Sequence, residues 1–381
     1  MPIRPSTLAA PALVLLAAGC HEIDLPGSGG GAPPDSSWTQ VVSVPGLLLD
    51  ASPQWALYVS DPPSYDFLHL RNVGTGEDRT VRAESNIGPG MPAWVTAAGG
   101  IVDYGLGSFA GKPRGVQEFG GSGAVSDPGF GPLARGRWAA WRGRLDFSPA
   151  FQLHRDDVLG PTLVSTPAAL AVESFDLADD GTIAFAAGTY TADGSCACDH
   201  TQLYVWSGGA PTQLTTDAGV AVRGPVTDGS AILYLRETGT GTSATHRLVY
   251  RGAGGAEELL TPDLPSTGGQ PAIAPRRDYQ LLNGWAAFQY PDASGAFHTF
   301  VRTPSGDVHA VWPAAPAGTR FVSLGPLGQV LLSAGGTLYL SEAPHTTAVS
   351  LGTWGDIGHV KWTGGKMYVV KEGGLYRLDR P

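Results

Sequence analysis

Glycine and proline interrupt this chain so often that long helices have no room. Beyond the first twenty residues, no stretch free of both exceeds thirteen residues, and only 168–180 and 195–207 reach that length. A helical bundle or an alternating α/β fold needs many longer stretches. The 54 Gly and 31 Pro are set among apolar residues that make up 42% of the chain, enough for a core, so disorder throughout is excluded as well. What remains is a chain of many short strands with a turn every few residues.

One short apolar motif recurs eight times. It reads WALYVS (55–60), GIVDYG (100–105), RWAAWRG (137–143), TIAFAAG (182–188), AILYLRE (231–237), WAAFQYP (285–291), QVLLSAG (329–335) and KMYVVKE (366–372). Runs rich in aromatic and branched residues are buried strands. A tight-turn signal precedes seven of them, among them Asp180-Gly181, Asp228-Gly229 and Asn283-Gly284, so each motif is the second strand of a hairpin. A third strand follows each copy, represented by Leu68, Val116, Phe151, Leu203, Leu248, Phe300, Leu338 and Leu375. Their spacing averages about 44 residues, the period of a four-stranded propeller blade.

The two ends complement each other. The last unit has strands near 358–363, 366–370 and 374–379 and lacks a fourth, while Trp38–Val44 is a strand without a unit. Supplied to the last sheet, it closes a ring and removes two exposed edges. The predicted fold class is all-β: a single β-propeller of eight four-stranded blades over 38–381, closed by the N-terminal strand. Seven blades is the alternative count, with 114–165 as the weakest region. Two consecutive sandwiches explain neither the equal units nor the complementary ends.

Ahead of the ring, Arg4 and the apolar run 8–18 predict an export signal over 1–19. Leu16-Ala17-Ala18-Gly19-Cys20 resembles the lipobox of bacterial lipoproteins. That resemblance implies lipidation of Cys20, a flexible tether over 20–37 rich in Gly, Ser and Pro, and a place in the bacterial cell envelope. An ordinary secretory signal is the alternative. His21 after the cysteine favours the outer membrane under bacterial sorting rules. The net charge of −10 comes without a basic cluster, which argues against nucleic acid or an anionic membrane surface as partner. Membrane contact is expected through the lipid alone, and a monomer is expected.

Residues 180–185 (DGTIAF), 202–206 (QLYVW), 208–209 (GG) and 212–215 (TQLT) resemble the WD40-like propeller repeat of TolB-type periplasmic proteins. Residues 228–261 carry a weaker copy. The resemblance implies a propeller. No counterpart of TolB's separate N-terminal domain is present in the sequence.

The most unusual local feature is Asp193-Gly-Ser-Cys-Ala-Cys-Asp-His200, in the connection between the second and third strands of the fourth unit. An exported Cys196–Cys198 pair oxidises to a small, strained disulfide. A metal held by Cys196, Cys198 and His200, with Asp193 or Asp199, and a pair of plain thiols are the other readings. Asp193, Asp199 and His200 are candidate ligand-loop residues. Gly-x-Ser-x-Gly and His-Glu-x-x-His are both missing, and Gly105-Leu-Gly107 is followed by breakers that forbid a phosphate-binding helix. Asp179-Asp180 reads as a turn, and His69, His154 and His246 as packing residues. No catalytic residue and no cofactor is therefore expected. The function expected is a recognition platform for a protein, peptide or glycan. A propeller hydrolase or lyase with a site at the channel mouth, and a TolB-like structural role, are the alternatives.

Overall fold

The computed structural model describes residues 18–21, 38–60, 67–83, 93–95, 101–103, 133–143, 152–157, 160–164, 170–189, 200–267, 270–355, 357, 359–363, 365–371 and 374–378. Consecutive strands pair antiparallel into one sheet after another. Sheet one is Gly46–Ala51, Trp55–Ser60, Phe67–Asn72 and Asp78–Ala83. Sheet three is Leu133–Arg135, Trp138–Gly143, Gln152–Asp157 and Gly160–Val164. Sheet four is Leu170–Leu177, Ile183–Thr189, Gln202–Trp206 and Thr212–Gln213. Sheet five is Val220–Thr227, Ile232–Thr238, Thr245–Arg251 and Glu257–Leu259, extended by a hairpin of Leu264–Thr267 and Gln270–Pro271. Sheet six is Tyr279–Leu282, Trp285–Pro291, Phe297–Arg302 and Val308–Ala310; sheet seven is Arg320–Leu324, Val330–Ala334, Thr337–Ser341 and Val349–Thr353.

Sheet eight joins the ends of the chain. His359–Thr363, Lys366–Lys371 and Gly374–Leu378 take Trp38–Ser43 as their fourth strand, with Trp38 opposite Leu378 and Ser43 opposite Gly374. Trp38 is buried there, edge-on to Trp354 at 4.5 Å, and its indole N–H donates to Leu351 O at 3.2 Å. Lys361, on the first strand of sheet eight, pairs with buried Asp50 of sheet one and donates to Ala51 O, which seals the seam. This closed series of radial sheets is a β-propeller, and the strand expected to close it does so.

Sheet two has two described strands, Ala93–Val95 and Ile101–Asp103; 104–132, where its outer strands are expected, lies outside the described residues. Seven sheets among the described residues thus have four ring strands. Within the region read as weakest, Leu133–Val164 makes a full four-stranded sheet, and 114–132 lies outside the described residues. Ala18–His21 forms a further strand, antiparallel to His359–Thr363 on its inner side.

The turn glycines do more than turn. Gly181 and Gly328 sit at φ +86 and +82, where L side chains are strained. Each is also covered by a tryptophan that opens the second strand of the preceding sheet. A Cβ at Gly181 would come within 2.6 Å of Trp138, and one at Gly328 within 2.5 Å of Trp285. Between sheets five and six the link is polar, with Gly284 N donating to Asp228 Oδ2 at 2.6 Å. The repeated glycine therefore admits the neighbouring blade.

Candidate binding face

Because the strands alternate in direction, the second-to-third connections and the sheet-to-sheet connections emerge at the same end of the ring. Two features lie on sheets four to six, the first of them at that end. The first is a hollow of about 360 Å³ lined by His200, Gln202, Gln213, Thr216, Asp217, Ala218 and Gly219. Gln202 shapes it: its amide donates to Asp217 O and Val220 O, both at 3.3 Å, and its carbonyl accepts from Thr215 Oγ1 at 2.8 Å. His200, the one described residue of the proposed ligand loop, is exposed on the rim. Asp193, Cys196, Cys198 and Asp199 lie outside the described residues, as does the side chain of Cys20. No group of three His, Cys, Asp or Glu side chains able to hold a metal occurs among the described residues.

The second feature is a set of arginines laid over carboxylates, which sequence reading missed. Arg223, on the inner strand of sheet five, grips two acids. Its Nε and Nη2 donate to Glu237 at 2.5 and 3.1 Å, and its Nη1 donates to Glu173 of sheet four at 2.9 Å. Glu237 also accepts from His246 Nε2 at 2.7 Å, and His246 is fully buried. Burial alone would raise the Glu237 carboxyl; the bonds and charge of Arg223, with those of His246, outweigh it and hold the carboxyl below its usual range.

Deeper along the same channel wall, Arg276 donates through Nε and Nη2 to Asp176 Oδ1 at 3.3 and 2.9 Å and through Nη2 to Phe175 O at 3.1 Å. Asp176 has no exposed surface, and its other oxygen accepts Thr227 N at 2.7 Å. Arg277 donates through Nε and Nη2 to Asp278 Oδ2 at 3.0 and 2.7 Å. Asp278 in turn accepts Ala274 N at 2.7 Å and Gln289 Nε2 at 2.6 Å. Gly224 makes this layout possible. A Cβ there would meet Tyr279 Oη at 2.6 Å and Pro275 Cγ at 3.0 Å, so segment 274–279 lies against the inner strand of sheet five only where that strand has no side chain. The signal in the sequence was slight: Glu173 and Asp176 interrupt a largely apolar run, and Arg276-Arg277-Asp278 follows a proline.

The histidines divide. His69 stacks on Tyr58 at 4.7 Å on sheet one and shares a 2.7 Å hydrogen bond with Ser60 Oγ through Nε2; its Nδ1 is 3.6 Å from Asp78 Oδ1. Burial lowers its pKa, against the opposing charge of Asp78. Asp78 Oδ2 accepts the Tyr58 hydroxyl at 2.5 Å. The side chain of His154 lies outside the described residues. Asp180 forms the expected turn, accepting Thr182 N at 2.8 Å. Trp206 and Trp354 are both buried.

No protein-family profile matches the chain, and no curated protein does. Among solved structures it is similar to TolB from Acinetobacter baumannii, at 12% identity over 82% of this chain and 75% of that one, with a TM-score of 0.37. The β-propeller domain of the Trilobed protease from Pyrococcus furiosus is 8% identical over 89% and 95%, with a TM-score of 0.46. A puromycin-hydrolyzing peptidase of Mycobacterium tuberculosis is 13% identical over 91% of this chain, which spans 56% of it, with a TM-score of 0.41.

Proposed function

We propose that the chain is an envelope lipoprotein whose propeller is a recognition platform, binding a protein, peptide or glycan at the face where the hollow opens. The observation that carries this reading is the engagement of the ionisable groups around the inner strands of sheets four to six. Glu173, Asp176, Glu237 and Asp278 are each tied to an arginine, and Glu237 is held away from neutrality, whereas a general acid or base works best with a pKa near the operating pH. A rigid scaffold with polar loops suits binding. Affinity capture from envelope extract tests it. A specific partner should be retained by the native chain and lost with Thr216→Arg, which fills the hollow. Identical retention by both, or none by either, would overturn it.

The anchor is part of the same reading. Cleavage before Cys20 would remove Ala18 and Gly19, half of the strand paired with His359–Thr363. Radiolabelled palmitate should enter the native chain and not Cys20→Ser; equal labelling of both would refute lipidation. With His21 after the acylated cysteine, fractionation should find the chain in the outer membrane.

A hydrolase reading has one observation in its favour, and it is on the flank of sheet one rather than at the channel mouth. Ser60, His69 and Asp78 line up in the order a nucleophile, base and orienting acid would take. A fluorophosphonate probe that labels the native chain and not Ser60→Ala would establish it; no labelling would dismiss it.

A further inference from the structure

Arg223 displays a complete pattern that Arg276 and Arg277 display only in part. A guanidinium has two edges that can each take a carboxylate. Arg223 uses both: Glu237 lies on Nε and Nη2, and Glu173 on Nη1. Arg276 and Arg277 each have the first carboxylate, Asp176 and Asp278, on Nε and Nη2. Among the described residues neither Nη1 donates to anything. In both cases the acid is sealed beneath and the arginine is on the open side: Asp176 and Asp278 are 0% and 2% exposed, against 21% and 58% for Arg276 and Arg277. The buried acids, held also by Thr227 N, Ala274 N and Gln289 Nε2, keep the guanidinium groups in place before any ligand arrives.

We propose that Arg276 and Arg277 form a carboxylate-binding site for an acidic peptide segment, whose side-chain or terminal carboxylates take the second position that Glu173 fills at Arg223. The inference rests on the recognition reading above and names its ligand class. At Arg277 the planar fork can meet a carboxylate through two parallel bonds; at Arg276, whose Nη2 also donates to Phe175 O, Nη1 remains, the atom that Glu173 takes at Arg223. Each arginine sits on an acid, Asp176 being shared with Arg135 at 4.0 Å, and the chain carries a net charge of −10, so a dense polyanion gains little from long-range attraction. A single well-oriented carboxylate gains from the short-range geometry alone.

The test uses the full chain and a fluorescein-labelled peptide, Gly-Gly-Ser-Asp-Glu, followed by fluorescence anisotropy. Three companion probes separate the sources: the peptide with an amidated terminus, the Gly-Gly-Ser-Asn-Gln version with a free terminus, and the version with both changes. Arg277→Gln is the main variant, since Asp278 keeps Ala274 N and Gln289 Nε2. Arg276→Lys, which keeps the charge and removes the fork, is the second, and Arg79→Gln at an exposed site of sheet one is the charge control. The acidic peptide should bind at least tenfold tighter than the version lacking all its carboxylates. Arg277→Gln and Arg276→Lys should each weaken it tenfold or more, with Arg79→Gln within twofold of native. Equal binding of the acidic and neutral peptides overturns the proposal, and so does an equal loss in Arg277→Gln and Arg79→Gln. Displacement by inorganic phosphate at the peptide's own concentration overturns it too, by reducing the site to a general anion site. If the peptide fails while extract capture still returns a partner sensitive to Thr216→Arg, the recognition reading stands and only this ligand class falls.

Discussion

Replacing Gly328 with alanine separates the two jobs of a turn glycine. The first is conformational: φ is +82, and a Cβ in the left-handed region costs about 1–2 kcal/mol. The second is spatial. A Cβ would sit 2.5 Å from Trp285 Cε3 and 2.6 Å from Cδ2 and Cζ3, ring atoms that cannot swing aside as a flexible tip could. Overpacking of that kind costs about 1–3 kcal/mol. Alanine's stiffer unfolded chain offsets roughly 0.4–1 kcal/mol. The net expectation is a loss of about 2–4 kcal/mol, which at ~2.1 cal/mol/K of unfolding entropy per residue is about 3–5 °C in Tm. Gly295 supplies the control, because its φ is +83 and nothing lies within 4 Å of its Cβ position. Gly295→Ala should cost about 1 kcal/mol, from strain alone. Urea titration followed by tryptophan fluorescence and far-ultraviolet circular dichroism, with unchanged slopes, gives both differences. In a Trp285→Ala background the steric part should vanish, leaving a coupling of about 1–3 kcal/mol in the double-mutant cycle. Equal losses for Gly328→Ala and Gly295→Ala, or no coupling to Trp285, would refute the idea that these glycines exist to seat the neighbouring blade.

Three further outcomes follow from the buried charges. Lys361→Met takes the ammonium away from buried Asp50 at the ring seam and should cost about 3–5 kcal/mol in urea unfolding. Glu237 is held below the usual glutamate value of 4.5, so its contribution is present above that pH and lost as pH falls through the lower folded-state value. Glu237→Gln should therefore lose about 3 kcal/mol at pH 7 and flatten the acid limb of stability below pH 4.5, read from urea midpoints across pH. Burial raises the Asp179 carboxyl above 3.8, against the pull of Arg135, so native stability declines as pH rises from there through the folded-state value. Asp179→Asn should remove that decline and raise stability at pH 7 by roughly 1 kcal/mol, measured the same way.

The fold was legible because its determinants are local and repeated. WAAFQYP coincides with the observed strand Trp285–Pro291, and WALYVS with Trp55–Ser60. Both carry the aromatic and other apolar residues that suit a strand buried on both faces, with branched Leu57 and Val59 in the second. Closure by Trp38–Ser43 was legible from a count of strands, since an end lacking one and an end with one to spare leave a single arrangement without raw edges. The unit around residue 100 was read as equal to the others, yet only its two short strands are described. Breakers crowd residues 105–132, so periodicity had least to work with there. The glycines were assigned to turns correctly, but their second role depends on a tryptophan one blade earlier, more than forty residues away in the chain.

The arginine cluster escaped the sequence for a related reason. Asp176 and Arg276 lie a hundred residues apart, and they meet because Pro275 and Tyr279 rest on the bare backbone of Gly224. A single glycine in the inner strand of sheet five thus decides whether a loop of sheet six reaches across to sheet four. Each carboxylate brought there is almost or fully sealed from water, and sealing it without a partner would cost several kcal/mol. Replacing such an ion pair by apolar side chains is often neutral or stabilising, so stability alone gives weak reason to keep one. What the buried acids do give is orientation, since a guanidinium fixed along one edge presents the other edge in a set direction. Arg223 spends that second edge on Glu173 and locks sheet four to sheet five. Arg277 has no second acceptor there among the described residues, and Arg276 keeps only Nη1, because its Nη2 also donates to Phe175 O; that difference from Arg223 is what marks the place where a ligand would complete the pattern.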